Sequence, residues 1–139
     1  MGNDAELEKP VVLLVHDSSL TRLWMERSLG DHCRLCVFSR AEEAIAFVKV
    51  SSELDILITD LDLTSSALGG CNIARKVGRR FPRSILFVFA HHHSEDHRLI
   101  ILKSMKAVRF LSKPFDAFFI RRLVKMAIQE RDEHVEQSV

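Results

Sequence analysis

Val11-Val12-Leu13-Leu14-Val15-His16-Asp17-Ser18-Ser19 opens with five apolar residues in a row and closes on four polar ones. An unbroken apolar run leaves no face for water, so it suits a strand buried on both sides, as in a parallel sheet. The serines that follow are good helix N-caps, and a helix is predicted to start at Ser18 or Ser19. Four further short apolar runs recur at similar intervals, most of them unbroken: Leu35–Phe38, Ile56–Ile58, Ile85–Phe89 and Val108–Leu111. Val, Ile, Leu and Phe dominate them, and each is followed by a polar turn.

The segments between the runs carry helical spacing. Leu20, Leu23 and Trp24 form one apolar stripe. Ala41, Ala44, Ile45 and Val48 form the next, opened by Ser39. Ile73, Ala74 and Val77 alternate with Arg75, Lys76, Arg79 and Arg80 and stop at Pro82. Leu99, Leu102 and Met105 follow Ser94, and Phe115, Phe118, Phe119, Leu123, Met126 and Ala127 line the last segment. Strand and helix therefore alternate five times. Parallel strands need crossover helices, so the expected fold is α/β: a flavodoxin-like (βα)5 doubly wound sandwich around a five-stranded parallel sheet. Residues 1–10 read as a polar arm, 11–130 as the domain and 131–139 as a polar tail or the start of a linker.

The 139 residues hold 20 Lys and Arg against 19 Asp and Glu, a net charge of +1. A protein that grips phosphate backbones usually carries a larger excess, so direct nucleic-acid binding is not expected. No apolar stretch approaches the roughly 20 residues of a membrane span. Met1 to Lys9 lacks the basic and apolar regions of a secretory signal, and Glu6 stands where a myristoylation signal needs Ser or Thr. Three cysteines, an odd number, argue against a disulfide framework and for a reducing, cytoplasmic setting.

In a doubly wound sheet the site lies outside the carboxyl ends of the strands. There the first strand ends in His16-Asp17, the third in Thr59-Asp60-Leu61-Asp62 and the fifth in Ser112-Lys113-Pro114-Phe115. Topology thus brings Asp17, Asp60 and Lys113 to one edge. Neighbouring carboxylates repel unless a cation joins them, and a hard dication such as Mg²⁺ takes oxygen ligands. A carboxylate can also attack phosphorus, with the cation and the ammonium neutralising the transferring phosphoryl oxygens.

These three segments, in this order and over about Val11 to Glu130, resemble the receiver domain of two-component response regulators. The resemblance implies a non-enzymatic signalling module in a phosphorelay. Asp60 would be the phosphoacceptor and Lys113 the phosphoryl contact. Asp17 and Asp60 would hold Mg²⁺ together with the backbone carbonyl of Asp62. A histidine kinase or phosphotransfer protein would be the donor. The output would be an attached domain, another protein, or a homodimer formed through the face of helix four, strand five and helix five.

The chain also departs from that pattern. His16 replaces the first acid of the acidic pair, which should weaken the cation site unless the Asp62 side chain supplies the missing charge. Phe89 takes the place of the switch hydroxyl on strand four, and Phe110 lacks the phenol of an aromatic switch. Thr64 stands where the family has Pro, and Leu68-Gly69-Gly70 reads as a short insertion. The alternative is a pseudo-receiver, a protein-interaction or dimerisation module that works without phosphorylation. A flavin or nucleotide enzyme on the same fold is disfavoured, because no phosphate loop follows strand one.

Three other features invite sharper readings than they support. Cys33-Arg34-Leu35-Cys36 begins a strand and would send its thiols to opposite faces, which suits packing rather than redox chemistry. His91-His92-His93 and His97 read as a solvated loop more than a metal site. Arg75, Lys76, Arg79, Arg80 and Arg83 read as a solvated helix face. Asp17 itself, taken alone, would be an ordinary helix cap.

Overall fold

The computed structural model describes residues 9–63, 69–90, 97–112 and 117–137. Five strands form one parallel sheet in the order β2-β1-β3-β4-β5: β1 (Val11–Val15), β2 (Arg34–Phe38), β3 (Ile56–Asp60), β4 (Ile85–Ala90) and β5 (Val108–Ser112). The helices are α1 (Ser19–Leu29), α2 (Ala41–Val50), α3 (Gly69–Arg80), α4 (His97–Lys103) and α5 (Ala117–Gln137). Every apolar run became a strand. The chain leaves β1 for β2 on one side and reaches β3 on the other, so the switch point lies between β1 and β3.

Strand alternation divides the core into two layers. Leu13, Leu57, Leu86 and Val88 face α2, α3 and α4, where Ala44, Val48, Ile73, Val77 and Leu102 cover them. Leu14, Ile58, Phe87 and Phe89 face α1 and α5, meeting Met25, Leu29, Ile120 and Val124. Ser18 caps α1, accepting from the Thr21 N–H at 3.3 Å. Ser39 does not open α2: the N-cap is Arg40, with no side-chain cap bond, and Glu42 and Glu43 in the first turn meet the positive helix end instead.

On the α1–α5 side the α1 stripe faces outward, and of the α5 stripe Leu123 and Ala127 pack inward. Leu20, Leu23 and Trp24 are 74%, 44% and 47% exposed, while Met25 and Leu29 face the sheet. At 100° per residue the first three lie about 160–260° around the helix from Met25. On α5, Phe118, Phe119 and Met126 are exposed, and Ile120, Val124 and Ala127 are buried. Apolar spacing shows a stripe but not what it faces. The α2, α3 and α4 stripes do turn inward as expected, and Arg75, Lys76, Arg79, Arg80 and Arg83 are solvated. Among the described residues no helix is long and apolar enough to cross a membrane.

Cys33 and Cys36 pack into opposite layers, and Cys33 donates its S–H to the Leu29 carbonyl at 3.2 Å. Burial pushes the Cys33 thiol up from its ordinary 9.0 to about 11, and burial also raises Cys36. The unfolded chain therefore loses the Cys33 proton first. The Cys33 contribution to stability is unchanged below about pH 9 and falls as pH rises from there towards about 11. At pH 8, iodoacetamide should label Cys33 about a hundredfold more slowly in the native protein than in urea. Peptide mapping of the labelled sites measures this, and equal rates would contradict the packing assignment.

Candidate functional site at the carboxyl edge of the sheet

β1 and β3 deliver their last residues to the crevice at the switch point. Asp60 is the final residue of β3. Its parity with Ile56 and Ile58 turns its side chain to the α1–α5 layer, and it is only 2% exposed. A carboxylate this buried needs hydrogen-bond donors around it, and its partners include Asp62 and His16. The Asp62 N–H donates to Asp60 Oδ1 at 2.9 Å. His16 Nε2 lies 3.2 Å from Asp60 Oδ2.

The second contact defines the state of the imidazole. The Ser18 N–H donates to His16 Nδ1 at 3.0 Å, so Nδ1 is an acceptor and the ring proton sits on Nε2. Neutral His16 therefore donates Nε2–H to Asp60. Its Nδ1 is 3.6 Å from Asp17 Oδ1, a contact between two acceptors and not a hydrogen bond. Arg22 on α1 clamps the His16 carbonyl at 2.6 Å, and the His16 N–H donates to the Phe38 carbonyl at 3.2 Å. The ring is thus held from its backbone and from one nitrogen, and its other nitrogen is aimed at the acid.

Asp17 and Asp60 accordingly touch opposite nitrogens of one imidazole. Asp17 is not the helix cap, because Ser18 takes that role. Asp62 does not turn its carboxylate to the acid pair. Arg98 on α4 holds it at 2.7 Å and also reaches the Leu61 carbonyl at 3.3 Å. Compensation of His16 by the Asp62 side chain therefore competes with an ion pair to α4. Lys113 lies outside the described residues, as do Thr64, Leu68, Phe115 and His91 to His93; the helix begins at His97, which is exposed. β5 reaches Ser112 in register with Ala90 of β4, at the same edge as Asp60.

Phe89 pairs with Asp60 across β3 and β4 and is fully buried. The position of the expected hydroxyl is therefore filled by a ring packed between the sheet, α1 and α5. Phe110 is half-buried against the opposite layer.

His16 was legible as a departure but not as a partner of Asp60. Arg22 and Arg98 gave no sequence signal. Gly70 was read as part of an insertion, yet it is structural: a Cβ there would overlap the Asp60 carbonyl oxygen and lie 2.9 Å from Leu61 Cα. Only glycine lets α3 rest on the end of β3. Gly70→Ala should cost about 1–3 kcal/mol, seen as a lower urea midpoint at unchanged slope; an unshifted midpoint would contradict this packing.

Oxygen donors suit Mg²⁺, and Asp17, Asp60 and the Asp62 carbonyl are of that kind; the His16 imidazole is not. Among the described residues no three His, Cys, Asp or Glu side chains converge closely enough to hold a metal by themselves. The donor set fits a hard dication that keeps several waters, with one carboxylate fewer than an acidic pair would give.

The sequence profile of the response regulator receiver domain matches residues 12–126. Among solved structures, a response regulator receiver protein from Sinorhizobium medicae is similar at TM-score 0.74 and 22% identity, over 90% of this chain and 98% of that one. A response regulator receiver domain protein from Methanospirillum hungatei gives TM-score 0.77 at 14% identity, over 91% and 98%. One from Clostridium thermocellum gives 0.71 at 20%, over 88% and 97%. Identities this low speak to the fold. No curated protein is a detectable sequence relative.

Proposed function

This chain belongs to the response regulator receiver domain family, and from that premise we propose that it accepts a phosphoryl group on Asp60. Receiver domains are signalling modules rather than enzymes, and their donors are histidine kinases or phosphotransfer proteins. The observation that carries the reading is the buried Asp60 side chain at the end of β3, which accepts from the Asp62 N–H and the His16 Nε2–H, with Asp17 on the other side of the same imidazole.

A carboxylate oxygen of Asp60 attacks phosphorus of the phosphohistidine donor. A P–O bond forms, the P–N bond breaks, and the released imidazole takes up a proton. Asp17, Asp60 and the Asp62 carbonyl would hold Mg²⁺, which when bound supplies positive charge to the transferring oxygens. Lys113 would contact the phosphoryl group. The Asp62 N–H and the His16 Nε2–H fix the orientation of the nucleophile. The new charge would bias the face of α4, β5 and α5 towards a partner, an output domain or a second copy. A cytoplasmic location goes with this role.

The test is incubation with Mg²⁺ and acetyl phosphate, read by intact mass. One added phosphoryl group is expected. The His16–Asp60 hydrogen bond and buried Phe89 favour a second reading, the pseudo-receiver. No adduct from acetyl phosphate, nor from a panel of phosphorylated kinases and phosphotransfer proteins, would leave that reading standing.

A further inference from the structure

At the opposite, amino-terminal edge of the sheet a cavity of about 620 Å³ opens between the starts of β3, β4 and β5 and the second half of α5. Ile56, Ile85, Ala107 and Ile128 give it an apolar floor. Its volume falls within the range of a small-ligand pocket, and the side chains of Asp55, Arg83, Lys106, Glu130 and Arg131 ring the apolar floor.

The charges at its rim decide the sign of the ligand. Both carboxylates are already engaged. Asp55 accepts the Val11 N–H at 2.8 Å and pairs with Arg131 at 3.3 Å, and Glu130 pairs with Arg109. Arg83 and Lys106 also line the cavity, are exposed, and make no ion pair among the described residues. Two uncommitted cations beside an apolar floor match a molecule with an apolar body and one anionic group. We infer that this cavity binds a small amphiphilic anion, an aromatic or medium-chain carboxylate or sulfonate, at a site separate from Asp60. The inference does not rest on phosphorylation.

The probe is 8-anilinonaphthalene-1-sulfonate, titrated into the full chain and followed by its fluorescence. Saturable one-to-one binding with a dissociation constant on the order of 10 µM is expected for a ligand of that size. The double variant Arg83→Gln/Lys106→Gln changes only exposed side chains and should bind at least about tenfold more weakly with its thermal melt unchanged. N-phenyl-1-naphthylamine, the same body without the sulfonate, should also bind about tenfold more weakly. Trp24→Ser, on the exposed α1 stripe, should leave binding unchanged. Equal affinity of the double variant, equal affinity of the neutral probe, or loss on Trp24→Ser would each overturn the assignment. The last result would place the probe on the exposed apolar helix faces.

Discussion

Asp60→Asn is expected to abolish the acetyl phosphate adduct while leaving the fold in place. An amide oxygen is too weak a nucleophile to take the phosphoryl group, so intact mass should show the unmodified chain alone. Persistence of the adduct in this variant would move the acceptor elsewhere and dismiss the role of Asp60. The structure says why the variant is interpretable. The donors to Asp60 include the Asp62 N–H and the His16 Nε2–H. An Asn at this position has one acceptor oxygen, and His16 cannot turn its proton away because Nδ1 is occupied by the Ser18 N–H. At least one buried hydrogen bond is lost whichever way the amide points. The loss is about 1–3 kcal/mol, which a domain with about 5–15 kcal/mol of stability withstands. A thermal melt of the variant beside the parent separates a missing nucleophile from an unfolded protein.

The sheet was legible because β1, β3 and β4 open as short runs of Val, Ile, Leu and Phe with no polar alternation, as strands buried on both faces do; the half-buried edge strands β2 and β5 carry Cys36 and Arg109 within theirs. Ile56–Asp60 shows the limit: the apolar signal ends at Ile58, while the backbone pairs on to Asp60 against Phe89. The site was legible as a set of strand-end residues, since topology alone brings Asp17 and Asp60 to one edge. Its hydrogen bonding was not. Whether His16 leans on Asp60, or Asp62 on Arg98, depends on rotamers and on helix placement, and neither leaves a trace in residue spacing. The outward stripe of α1 was missed for a related reason. Leu20, Leu23 and Trp24 have the spacing of a core face, but Met25 and Leu29 are the pair that meets the sheet.

His16→Asp should strengthen Mg²⁺ binding at the proposed cation site. In the parent, the place of the first acid holds a neutral ring whose proton points at Asp60 Oδ2, so the ring offers neither negative charge nor a free lone pair. A carboxylate about 4 Å from a dication gains roughly 2–8 kcal/mol of gross attraction, part of which desolvation and the lost bond to Asp60 offset. Magnesium affinity of the variant, by isothermal titration calorimetry, should therefore rise by about one to three decades. The local backbone tolerates the change, because an aspartate can accept the N–H two residues on, the bond that Ser18 now gives to His16 Nδ1. Without cation the variant carries a third carboxylate and loses the donor to Asp60, so it should melt lower than the parent and recover on adding Mg²⁺. The two readings of the site part here. If His16 has merely reduced cation binding, the variant should also gain phosphoryl adduct at low Mg²⁺. If neither affinity nor the melt responds to Mg²⁺, Asp17 and Asp60 do not form a cation site, and the interaction module becomes the better account of the fold.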